Sequence, residues 1–188
     1  MISEITKDQF LKFFPRYDYV ATKLIDNHIP FAIFAGSEVW LLTNSRIPTD
    51  LDILVKDEDL KRIADLFHQE LKVKQKEDIS AEYILIDNVE LVANINISKE
   101  GNVINISFIQ EMVNNLLKLN LSNEYILPLL PPEDTIIIKA LLKRGSSEGK
   151  FDLQDIDALK SKVTLDSKYL KQRIMDLKVE VLLGHLIN

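Results

Sequence analysis

The stretch Asp50-Leu-Asp-Ile-Leu-Val55 constrains the fold more than any other part of the chain. The run from Leu51 to Val55 reads as a short buried strand, yet it carries an aspartate inside it and another just before it. Residues two apart on a strand share a face. Leu51, Ile53 and Val55 therefore point into a core, and Asp50 and Asp52 project together from the other side. Two adjacent carboxylates repel each other unless a cation sits between them. The chain must bury one face of this strand and leave the other open enough to hold a metal.

The kind of metal follows from what is missing. There are no cysteines, and the three histidines, His28, His68 and His185, are scattered without zinc-site spacing. Oxygen ligands point to Mg²⁺ or Mn²⁺. A third carboxylate from a neighbouring strand usually completes such a site. Glu90, in Asn88-Val-Glu-Leu-Val92 just after a hairpin turn, is the expected one, with Glu82 as its competitor. Upstream, Pro30 opens the apolar run Phe31 to Ala35, and Gly36-Ser37 ends it where a short helix begins. Free backbone N–H groups at a helix start attract phosphate. Gly36 lets the backbone approach closely, and the Ser37 hydroxyl is a further donor.

The rest of the pattern mixes helices and strands, then turns helical. Residues 3–28 read as two helices broken at Pro15. A helix runs from Asp57 to about Gln69, strands cluster at 83–86, 89–97 and 103–108, and a helix is expected at 111–119. Pro128, Pro131 and Pro132 mark a junction, after which helices are expected from Pro132 to about Lys143, at 152–162 and at 166–187. The expected fold is α/β (α+β), a small mixed sheet with flanking helices. A core over residues 1–125 is followed by a C-terminal helical segment over 126–188.

Gly36-Ser37 with Asp50-x-Asp52 resembles the signature of the DNA polymerase beta-like nucleotidyltransferase superfamily. Ser45-Arg-Ile-Pro-Thr-Asp-Leu-Asp52 is similar to the Arg-x-Thr-x-Asp-x-Asp variant of minimal nucleotidyltransferases and abortive-infection toxins, with Arg46 three residues before Thr49 and Thr49 abutting Asp50. Pro131-Pro-Glu-Asp134 followed by Lys139, and Lys150-Phe-Asp-Leu-Gln-Asp-Ile156, resemble later elements of those families. The likeness spans roughly residues 30–160. It implies that Asp50, Asp52 and Glu90 are catalytic and hold Mg²⁺ or Mn²⁺. It implies too that Gly36, Ser37, Arg46, Thr49 and Lys139 bind a nucleoside triphosphate.

Transfer of a nucleoside monophosphate to an acceptor hydroxyl on a small molecule, protein or RNA is the expected activity. An inactive nucleotide- or partner-binding module is the alternative. The resemblance admits an antitoxin-like protein partner. A net charge of −6 disfavours a long polyanion. The N-terminus lacks the pattern of a signal peptide and no apolar run is long enough to span a membrane, so the expected location is the cytoplasm.

Overall fold

The computed structural model of the chain describes residues 4–122, 124–148 and 150–186. Helices α1 (Lys7–Phe13) and α2 (Tyr17–Asp26) come first. Thr6 and Gln9 form a capping box at the start of α1. Strand β1 (Phe31–Ile33) leads into α3 (Ala35–Thr43), and β2 (Leu51–Val55) follows. Helix α4 (Leu60–Phe67) precedes β3 (Lys72–Gln75), β4 (Ile79–Ile86), β5 (Val89–Lys99) and β6 (Asn102–Ile106). Then come α5 (Gln110–Asn114), β7 (Leu117–Ser122) and β8 (Tyr125–Leu129), and the chain continues with α6 (Pro132–Leu142), α7 (Asp152–Lys162), α8 (Ser167–Asp176) and α9 (Glu180–Leu183).

The strands form one mixed sheet in the order β3-β4-β5-β2-β1-β8-β7, with β6 also paired to β5. Strand β2 lies between antiparallel β1 and parallel β5. Its register sets Leu51 opposite Val89 and Asp52 opposite Glu90. Strand β5 pairs with β2 over its first residues and with β6 from Ile95 onward. Asn94, with φ 49°, lies between the two pairings and bends the strand from one partner to the other.

Both faces of the sheet are covered. Leu51, Ile53 and Val55 pack with α1, α2 and α4, while Leu54, Val92 and Ile95 pack with α6 and the helices after it. Every residue of α6 is buried. Both of its carboxylates have partners: Arg173 binds Asp134 at 2.8 Å, and Glu133 accepts from the Asp166 N–H at 2.6 Å.

The sheet is larger than the sequence pattern suggests. The expected helix at 111–119 stops at Asn114, and Leu117–Ser122 instead forms β7 beside β8. The sheet therefore continues past residue 126. Pro128 sits in β8, where only Ile33↔Leu129 pairs with β1, so its missing N–H breaks no ladder there. The expected long last helix divides at Lys178, which has φ 56°, and its end at residue 187 lies outside the described residues. The strand expected over residues 31–35 is shorter, because Ala35 turns left-handed at φ 56° and opens α3.

Candidate active site

Asp52 and Glu90 stand side by side because β2 and β5 run parallel and in that register. Asp50, at the entry to β2, reaches the same place. One carboxylate oxygen from each of the three lies within 4.8 Å of the others. Glu82 does not join them. It shares its strand face with Ile84 and Ile86, and Asn94 donates to it at 3.4 Å.

The electrostatics of this cluster are unfavourable on their own. Burial, then the Asp50 and Glu90 charges, push Asp52 up to about 7, against the opposing pull of Lys74 and Lys150. A divalent cation with oxygen ligands would relieve that repulsion, and the donor set fits Mg²⁺ or Mn²⁺. Thr49 donates to Asp50 Oδ1 at 3.1 Å.

Ser37 lies elsewhere than expected. Its side chain is fully buried, and its hydroxyl donates to the Asp50 carbonyl at 2.9 Å and accepts from the Asp52 N–H at 3.3 Å. It pins the aspartate strand to α3 and does not present a donor to the cleft. Gly36 does line the cleft. A Cβ there would meet only Pro48 Cβ, at an ordinary 3.9 Å, so packing does not demand glycine. No side chain caps the start of α3. Its first residues, Ala35 and Gly36, face the same cleft as the carboxylates.

The cleft encloses about 290 Å³. One wall is helical. Lys139 of α6 points into it but is held by Asp155 at 2.7 Å and Asp152 at 3.3 Å. Arg144 donates to Asp152 at 2.9 Å from both its backbone and its side chain. Burial pushes Asp152 up, but the Arg144 hydrogen bonds and the Lys139 and Arg144 charges outweigh it and leave the group below its ordinary value. Arg46 lies over the Phe151 ring at 4.5 Å, with Asp155 at 3.8 Å.

The opposite wall is strand. Ile79, Ala81, Val92 and Ile95 form an apolar floor, and Lys74 and Lys76 stand at its rim. Lys74 reaches Glu90 at 3.5 Å. These two lysines were not anticipated, although the alternation Lys72-x-Lys74-x-Lys76 is a period-two signal visible in the sequence. Behind the site, Glu38 is fully buried between α3 and α6. Thr135 donates to one of its oxygens, and the other has no partner among the described residues. Burial holds Glu38 well above the usual carboxylate range, reinforced by Asp134 and opposed by the Thr135 bond and Lys139.

No protein-family model matches the chain, and no curated protein matches its sequence. Solved structures do. A Thermotoga maritima protein classed by inference as a nucleotidyltransferase superposes with a TM-score of 0.52 at 19% identity, over 77% of this chain and 90% of that one. The lincosamide antibiotic adenylyltransferase LnuA, in its lincomycin-bound form, gives 0.50 at 15% identity over 85% and 99%. The antibiotic-resistance factor ANT(2'')-Ia gives 0.52 at 11% identity over 97% and 100%. The chain has a nucleotidyltransferase fold, a mixed sheet flanked by helices. No helix among the described residues is long and apolar enough to cross a membrane.

Proposed function

We propose that the protein transfers a nucleoside monophosphate from a nucleoside triphosphate to an acceptor hydroxyl. The observation that carries this reading is the convergence of Asp50, Asp52 and Glu90 beside the uncapped start of α3, in one cleft. Asp50, Asp52 and Glu90 would hold Mg²⁺ or Mn²⁺, which when bound neutralises charge on the reacting phosphate.

The chain's own groups do the rest. The backbone at Ala35 and Gly36 receives the triphosphate. Arg46 and Lys150 offer it positive charge, with Thr49 orienting Asp50 at their side. Lys139 contacts a phosphate only by giving up part of its bond to Asp155. The acceptor oxygen bonds to the α-phosphorus, the bond from that phosphorus to the bridging oxygen breaks, and pyrophosphate leaves with the electron pair. Glu90 takes the hydroxyl proton.

One observation favours a second reading, a nucleotide-binding module without turnover: Lys139 is bonded by two aspartates and is not free to meet phosphate. The two readings separate in one assay. Each of the four α-labelled triphosphates is incubated with the protein, Mg²⁺ or Mn²⁺ and cell extract, and pyrophosphate and labelled product are followed for wild type and Asp52→Asn. Transfer reduced about 10²–10³-fold in the variant supports the enzyme, since that is the usual loss when one such electrostatic element is removed. Metal-dependent triphosphate binding with no release above the variant supports the binding module.

A further inference from the structure

We infer that the acceptor is anionic, a hydroxyl compound bearing phosphate, and that Lys74 of β3 and Lys76 just after that strand are the residues that select it. The inference rests on the nucleotidyltransferase reading and names its second substrate.

The whole chain carries a charge of −6, whereas in the cleft the cationic side chains slightly outnumber the five carboxylates, Asp50, Asp52, Glu90, Asp152 and Asp155. Six cationic side chains line it: Arg46, Lys74, Lys76, Lys139, Arg144 and Lys150. The two walls use their cations differently. On the helical wall, Lys139 and Arg144 are neutralised by Asp152 and Asp155, Arg46 lies 3.8 Å from Asp155, and Lys150, without an ion pair among the described residues, is left to the triphosphate. On the strand wall, the Lys76 side chain has no ion pair or hydrogen bond among the described residues, and Lys74 pairs with Glu90 at 3.5 Å and lies 6.0 Å over the Tyr83 ring.

The direction of the reaction assigns the strand wall to the acceptor. Attacking and leaving oxygens lie roughly in line across the transferred phosphorus. The triphosphate is received at Gly36, beside Arg46 and the helical wall, so pyrophosphate departs on that side. The attacking hydroxyl then approaches over β5, β4 and β3. There it meets the apolar floor of Ile79, Ala81, Val92 and Ile95, rimmed by the two lysines. Glu90 is the single carboxylate that the strands of this wall, β3 to β5, present to the cleft among the described residues, and it belongs to the central cluster. A cationic acceptor would find no counter-charge there. A phosphate-bearing one finds two ammonium groups.

Lysines on an edge strand also serve to discourage pairing with other chains. That role needs them only to be charged and exposed. It does not require them to alternate onto the cleft-facing side, opposite Ala81, which packs with α6.

Two measurements test the inference. In the first, calorimetry compares ribose 5-phosphate with ribose, each binding to wild type and to Lys74→Gln/Lys76→Gln. The phosphate is expected to tighten binding about tenfold or more in wild type, equivalent to about 1.4 kcal/mol, and to lose that advantage in the double variant. Equal binding of the two sugars by wild type, or an unchanged phosphate preference in the variant, overturns the inference. In the second, extract is treated with phosphatase or with ribonuclease, the enzymes are removed, and label transfer is repeated. Loss after phosphatase identifies a small phosphomonoester, and loss after ribonuclease identifies a phosphodiester chain end. Both support an anionic acceptor. Labelling that survives both treatments overturns it. Absence of labelling from every triphosphate counts against the nucleotidyltransferase reading instead, and the sugar comparison still decides the inference.

Discussion

Replacing Asp52 by asparagine should stabilise the protein at high pH and leave it nearly unchanged at low pH. The reason lies first in the burial of the Asp52 carboxylate and then in its crowding by Asp50 and Glu90, all within 4.8 Å. Asp52 is raised from 3.8 to about 7. Below about pH 4 it is protonated in both the folded and unfolded chains and contributes no difference. As pH rises towards 7 the unfolded chain releases this proton while the folded chain retains it, so folding loses stability. Above 7 the loss levels off. Each pKa unit corresponds to about 1.36 kcal/mol, so the full displacement amounts to about 4 kcal/mol. Asp52 is half-buried, and solvent screening reduces the expected figure to about 2 kcal/mol.

Asparagine cannot ionise, so the gain of Asp52→Asn over wild type should grow by about that much between pH 4 and pH 8. In a chain of this size it corresponds to about 4–8 °C in melting temperature. Thermal melts without divalent metal at the two pH values measure it. Mg²⁺ should then reverse the order, since a ligand at a hundred times its Kd adds about 2.7 kcal/mol to the form that binds it. A gap between variant and wild type of equal size at pH 4 and pH 8 refutes the raised Asp52.

Three further substitutions probe the supports of the site. Ser37→Ala leaves the half-buried Asp52 N–H without its acceptor and should cost about 1 kcal/mol in urea unfolding, with weaker Mn²⁺ affinity in calorimetry; an unchanged midpoint counts against the pinning role. Lys139→Met leaves Asp155 and Asp152 short of counter-charge and should cost about 3–5 kcal/mol. Adding Asp155→Asn should recover part of that loss, and simple additivity of the two effects argues against their coupling. Glu38→Gln keeps the Thr135 contact while removing a group that burial, in the folded chain, holds well above its usual range. Its stability should match or exceed wild type at pH 8 and converge towards it near pH 4, and a net loss at pH 8 contradicts the raised Glu38.

Much of this arrangement was legible because it rests on short-range periodicity. The alternation around Asp50 and Asp52 assigns opposite faces to neighbouring residues, and the turn before Val89 places Glu90 early on the next strand. Glu82 could not be set aside from sequence, since its face depends on the β4–β5 register and on the bulge beside Asn94. Strand β3 escaped notice because all four of its residues are exposed and offer no apolar pattern. Leu116 and Leu117, following Val113, imitate a helical stripe, whereas the pairing with β8 that makes 117–122 a strand is a tertiary matter. The local pattern makes Ser37 a phosphate donor, because nothing near it in sequence reveals that its hydroxyl bonds the backbone 13 residues downstream. The acidic pI likewise gave no sign of the six cationic side chains gathered in the cleft, because net charge averages over the whole surface.

On the proposed metal role, the register that sets Asp52 opposite Glu90 would also make metal affinity a reporter of correct assembly. A slip of one residue between β2 and β5 would turn Glu90 to the opposite side of the sheet and dismantle the trio while leaving much of the strand pairing intact. During synthesis, Asp50 and Asp52 emerge well before Glu90, and Lys139 and Asp155 later still. A growing or prematurely terminated chain therefore carries a fragment of the site for most of its length. Tight Mn²⁺ binding should appear only once β5 has docked in register, which lets the metal serve as a kinetic probe of when that pairing forms in refolding.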